Sequence, residues 1–109
     1  MKKELRTYRT KTGKEPFTDW LESLKDITGR AQITNRLNRA ALRNYGDCDS
    51  VGGGVYELRI HYGPGYQVYF SEQGDTILLL LAGGSKRTQK QDIKKAKQYW
   101  IEFRERCYD

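Results

Sequence analysis

Cysteine, histidine and long apolar runs are scarce in this 109-residue chain. Its two cysteines, Cys48 and Cys107, lie far apart, so neither a disulfide framework nor a CxxC metal or redox pair is available. One histidine, His61, without paired cysteine spacing provides no zinc motif. No stretch comes near the roughly 20 consecutive apolar residues that a bilayer span requires, and residues 1–11 lack the apolar run of a signal peptide. The expectation is a soluble, cytoplasmic, one-domain protein with no membrane partner, whose chemistry uses neither metal nor cofactor.

Further absences narrow the chemistry. Gly52-Gly53-Gly54 is followed by Val-Tyr-Glu, and Gly83-Gly84-Ser85-Lys86 lacks the spacing of a phosphate loop, so both glycine groups read as turns. Asp47-Cys48-Asp49 has no third carboxylate nearby and reads as a turn rather than a magnesium site. There is no ExxH to hold iron and no strand-to-helix elbow for a serine nucleophile.

What is abundant is positive charge. The chain carries 20 Lys and Arg against 14 Asp and Glu, a formal net charge of +6. The excess is uneven: residues 1–14 hold six basic groups and one acidic, residues 85–109 eight and four, and residues 48–84 one and four. A basic domain of this size attracts a polyanion, either nucleic acid or an acidic protein segment, and a basic surface also serves solubility alone.

Periodicity assigns the elements. Residues 3–10 read as a short edge strand whose charges discourage further pairing. Pro16 opens an amphipathic helix with Phe17, Trp20, Leu21, Leu24 and Ile27 on its stripe. Thr28-Gly29 interrupts it, and Ile33, Leu37, Ala40 and Ala41 continue in a second helix, the pair forming a hairpin that closes at residues 44–47. Residues 46–54 read as a glycine-rich connector. From Tyr56 the period becomes two: Tyr56, Leu58, Ile60 and Tyr62 alternate with Glu57, Arg59 and His61. Gly63-Pro64-Gly65 turns the chain, residues 66–70 return, residues 71–75 turn again, and residues 77–82 form an unbroken apolar strand covered on both faces. Thr88 with Gln91 has capping-box spacing for a last helix, striped by Ile93, Ala96, Trp100, Phe103 and Cys107. The predicted class is α+β: a compact antiparallel sheet of about four strands, a helical hairpin after the first strand, and a C-terminal helix.

One set of polar residues is placed to converge. Arg59 and His61 on one strand, Gln67 and Tyr69 on its hairpin partner, and Lys86-Arg87 past the apolar strand fall on alternate positions of neighbouring strands. RNA cleavage without a metal needs a base for the 2′-hydroxyl, cations for the phosphorane and an acid for the leaving 5′-oxygen, and these residue types supply all three. Plainer roles exist: Arg59 can pair with Glu57 or another acid, His61 can be merely exposed, Tyr69 can be an ordinary sheet aromatic, and Lys90, Lys94, Lys95 and Lys97 can be a solvated helix face that also touches RNA.

Taken together, Phe17-x-x-Trp20-Leu21-x-x-Leu24, Glu57-Leu58-Arg59, Gly63-Pro64-Gly65-Tyr66 and the run from Gly83-Gly84 through Thr88-Gln89 to Asp92-Ile93 resemble the phage-derived, Gp49-like, HigB-type branch of the RelE/ParE toxin superfamily, the addiction module killer proteins. The resemblance implies a RelE-like fold and a type II toxin held inactive by a cognate antitoxin, commonly a helix-turn-helix protein. Operator DNA would be met only through the complex with that antitoxin. RelE-like members cut mRNA in the ribosomal A site, so the implied partners are ribosome and mRNA, and the implied activity is that of an endoribonuclease. By position, Arg59 resembles a basic residue of the second strand, Gln67 falls at an arginine of the third, and Lys86 or Arg87 resembles a basic residue after the fourth. His61 joins these as a catalytic candidate, with Tyr69, Lys90 and Lys94 as RNA contacts.

Two departures bear on activity. Relatives usually read Tyr-Arg-Val-Tyr-Phe where this chain has Tyr66-Gln67-Val68-Tyr69-Phe70, and glutamine donates hydrogen bonds but cannot neutralise an anion. Glu57 stands where relatives can carry lysine. Gln67 implies an attenuated copy and Glu57 a less basic face, and two other readings stay open: a non-catalytic ParE-like toxin that poisons gyrase, and a degenerate toxin that survives as an antitoxin-binding partner.

Overall fold

Strand periodicity and helix stripes meet in a five-stranded sheet covered by helices on both faces, in a computed structural model that describes residues 2–108. In chain order the elements are β1 (Glu4–Thr7), α1 (Pro16–Ser23), α2 (Ile27–Ala41), β2 (Cys48–Gly52), β3 (Val55–Ile60), β4 (Tyr66–Gln73), β5 (Ile77–Ser85), a 3₁₀ turn (Lys86–Thr88) and α3 (Gln89–Tyr108). The strands lie in the order β1-β5-β4-β3-β2, with β1 parallel to β5 and the other pairs antiparallel. The fold is therefore a compact α+β domain with a mixed sheet.

Two expectations are corrected. The sheet has five strands because residues 48–52, expected in a connector, pair with β3 as an edge strand. That strand is polar, and its signal is hidden because its acid, Asp49, faces Arg59 rather than a core. The sheet is mixed rather than antiparallel because β1 enters beside β5 in the same direction, a pairing that no local pattern records.

The apolar run of β5 shows why both faces fill. Leu78 and Leu80 join Phe17, Ile33, Leu37, Leu58, Val68 and Phe70 beneath α1 and α2, while Leu79 and Leu81 join Tyr8, Val55, Tyr69 and Ala96 beneath α3. Side chains alternate across a strand, so one leucine run supplies two cores.

Boundaries shift where capping decides them. The helix break falls after Ser23 rather than at Thr28-Gly29: Asp26 accepts a hydrogen bond from the Gly29 amide at 2.9 Å and caps α2, which places Thr28 and Gly29 in its first turn. β4 runs on to Gln73, so the turn that follows is shorter than residues 71–75. The Thr88 hydroxyl donates to Asp92, one position beyond Gln91.

Gly83 and Gly84 are not a turn but lie inside β5. A Cβ on Gly83 would sit 2.2 Å from the Trp20 ring, and one on Gly84 would sit 1.8 Å from Asp92 Oδ2. Their bare backbone lets α1 and the start of α3 close onto opposite faces of one strand end. Gly63 and Gly65 do turn the chain, with φ of 58° and 83°.

Candidate functional site

The strand ends of β3 and β4, the Gly63-Pro64-Gly65 turn and the start of the 3₁₀ turn enclose an open cleft of about 440 Å³. Register brings its polar groups together: Arg59 pairs with Gln67 and Glu57 with Tyr69 across β3 and β4, while Gln67 pairs with Gly84 of β5. Arg59, His61, Gln67, Lys86 and Gln89 all line it. Arg87, Lys90 and Lys94 are exposed and lie outside its lining.

Arg59 is held by three carboxylates. Its Nη1 donates to Asp47 Oδ1 and Asp49 Oδ2, both at 2.8 Å, and its Nε donates to Glu57 Oε1 at 3.1 Å. The carboxylates of Asp49 and Asp47 hold the guanidinium still further above its ordinary value. Among the described residues none takes Nη2, so one nitrogen of an oriented fork remains for a ligand. His61 is 75% exposed, and its Nε2 meets Asp47 Oδ2 at 2.5 Å, which leaves Nδ1 as the ring nitrogen open to a substrate. Hydrogen bonds from His61 and then Arg59 hold the Asp47 carboxyl below the usual range.

Beneath Arg59 lies Glu57, only 1% exposed, which accepts from the Tyr69 hydroxyl at 3.0 Å and from Gln89 Nε2 at 2.7 Å. A buried carboxylate is tolerated here because three donors surround it. Tyr69 cannot meet RNA as expected: it is fully buried, burial pushes its phenol far up, and its hydroxyl is committed to Glu57. Its role is to hold Glu57, which holds Arg59.

Gln67 is 6% exposed, and its Oε1 has no hydrogen-bond partner among the described residues. Three carboxylates, Asp47, Asp49 and Glu57, stand against the basic side chains of Arg59 and Lys86, so the cleft is less basic than the sequence pattern implies.

Sequence reasoning missed three supports. Asp47 and Asp49 read as a turn in the sequence, whereas Asp49 lies on the edge strand and Asp47 just before it, a spacing that brings both to one guanidinium. Gln89 appears in the sequence only within the Thr88-Gln89 motif, with no role attached to it. Arg36 of α2 is buried and donates to the carbonyls of Tyr45 at 2.8 Å, Arg59 at 3.1 Å and Asp47 at 3.3 Å, tying the segment before β2 to β3. Burial lowers its guanidinium from the ordinary value. Among the described residues no group of three or more His, Cys, Asp and Glu side chains is placed to hold a metal ion, and no helix is long and apolar enough to cross a membrane.

Fold and cleft define a small α+β protein with a mixed-charge polar site at one end of its sheet. The chain belongs to one family with an uncharacterized protein of Haemophilus influenzae, with which it shares 46% identity over 81 residues, 74% of this chain and 82% of that protein. No protein-family model matches the chain.

Proposed function

We propose that this protein is a toxin of the RelE/ParE type, a ribosome-dependent mRNA endonuclease of low intrinsic activity paired with an antitoxin. The observation that carries the reading is the convergence of Arg59, His61, Gln67 and Lys86 on one open cleft. On this reading the two helices after β1 are the helical hairpin of the RelE-like fold.

The chemistry follows from the positions. A 2′-hydroxyl gives its proton to Nδ1 of His61, whose Nε2 is held by Asp47. The 2′-oxygen attacks the adjacent phosphorus, Arg59 Nη2 and Lys86 stabilise the phosphorane, and the 5′-oxygen leaves with a proton from the Lys86 ammonium. The products are a 2′,3′-cyclic phosphate and a 5′-hydroxyl. Gln67 contributes a hydrogen bond but no charge where the resembling family carries arginine.

A second reading is favoured by the carboxylates around Arg59: a disabled toxin that retains only partner binding. Mapping mRNA 5′ ends in a purified translation reaction, with and without ribosomes, separates the two. Cuts that require ribosomes support the endonuclease, and cuts without them mean a free ribonuclease. Gln67→Arg is expected to raise cleavage by about 100-fold, the scale of one added transition-state donor. A folded protein that makes no cuts as wild type or as Gln67→Arg overturns the endonuclease reading.

A further inference from the structure

The cleft does not account for the cations of α3. Lys90, Lys94, Lys97 and Arg104 recur at intervals of four, three and seven residues, which at 3.6 residues per turn places them on one flank of the helix, with Ile101 between the last two. The flank spans about 21 Å at 1.5 Å per residue. Of the described acids of the helix, Asp92 is bonded to Thr88 and Glu102 to Tyr8 and Gln98, both away from the flank, and Glu105, four residues after Ile101, borders its far end. None of the four cations forms an ion pair with a described residue. This is segregation of charge, unlike the interspersed signs that serve solubility.

The flank is also positioned. The Lys97 stem packs over the Gly52-Gly53 turn, close enough that a Cβ there would touch its Nζ at 3.4 Å and its Cγ at 3.7 Å. The Arg104 guanidinium lies 5.3 Å over the Trp100 ring. At the other end, Lys86 of the cleft precedes Lys90 by four residues, so cleft and flank form one line of cations.

We propose that this flank of α3 is a track for single-stranded RNA entering or leaving the cleft. The proposal rests on the endonuclease reading for its direction but not for its binding. A linear array suits the backbone of a linear polyanion. An acidic protein partner would need an apolar centre to exclude water, and the flank offers only Ile101, 41% exposed.

The test is fluorescence anisotropy of the full chain with a labelled, uncleavable 2′-O-methyl RNA 12-mer across a salt series. Neutralising phosphates on a single strand gives a log–log slope of about −0.7 per contact, so four contacts predict about −3. The triple variant Lys90→Gln/Lys94→Gln/Lys97→Gln should flatten the slope by about 2 and weaken binding at least 10-fold at 0.1 M salt. The exposed pair Lys11→Gln/Lys14→Gln, on the loop after β1, should leave the slope unchanged. A triple variant that loses no more than this control pair overturns the track, as does a polyglutamate peptide that competes as well as RNA. Absence of mRNA cuts from both the wild type and Gln67→Arg, with the slope intact, overturns the endonuclease reading and leaves the track standing.

Discussion

Glu57 and Tyr69 face each other across β3 and β4, and the Tyr69 hydroxyl donates to Glu57 Oε2 at 3.0 Å with both side chains fully buried. The pair sits under Arg59, so the orientation of the cleft's principal cation depends on a hydrogen bond that no substrate touches. Tyr69→Phe removes one of three donors to a buried carboxylate and is expected to destabilise the fold by about 1–3 kcal/mol. Glu57→Gln should cost a similar amount, because it takes the charge from Arg59 while keeping the volume. Urea midpoints at unchanged slope check both.

The second prediction concerns acid. The folded-state pKa of Asp47 lies below its unfolded value, so its contribution to stability is complete above the unfolded value near 3.9 and is lost as pH falls through the lowered folded one. Thermal melts between pH 6 and pH 2.5 should therefore show an acid limb that Asp47→Asn flattens. An unchanged limb in that variant would place the acid sensitivity elsewhere.

Packing at the strand end gives the third. Gly83→Ala would put a methyl 2.2 Å from the Trp20 ring, which must move or tilt α1. Overpacking of this kind costs about 1–3 kcal/mol. Pairing Gly83→Ala with Trp20→Leu should recover part of the loss in a double-mutant cycle, whereas additive losses would show that the ring is not the obstacle.

Thiol chemistry separates the two cysteines. Burial pushes the Cys48 thiol up to about 11, while Cys107 is exposed near the end of α3. Since the thiolate is the nucleophile, Cys48 should alkylate at pH 8 on the order of 100-fold more slowly than an ordinary free thiol. Mass spectrometry after a timed iodoacetamide pulse should find Cys107 modified first, and equal labelling would mean that β2 opens readily.

Sequence by itself determined the elements whose pattern is local. The stripes of Phe17 to Leu24 and Ile33 to Ala41, the alternation from Tyr56 to Tyr62, the apolar run of β5 and the Gly63-Pro64-Gly65 turn each declare a period or a backbone requirement, and Arg59, Gln67 and Lys86 follow from alternation on adjoining strands. Tertiary structure alone decided what depends on partners distant in the chain. It set β1 parallel to β5, made residues 48–52 a strand, sank Tyr69 beneath α3, and brought Asp47 and Asp49 of the β2 edge onto the Arg59 guanidinium. A polar edge strand has no buried face to imprint a pattern, and an ion pair across twelve residues leaves no spacing rule, so the charge of the cleft became legible only once the sheet had assembled.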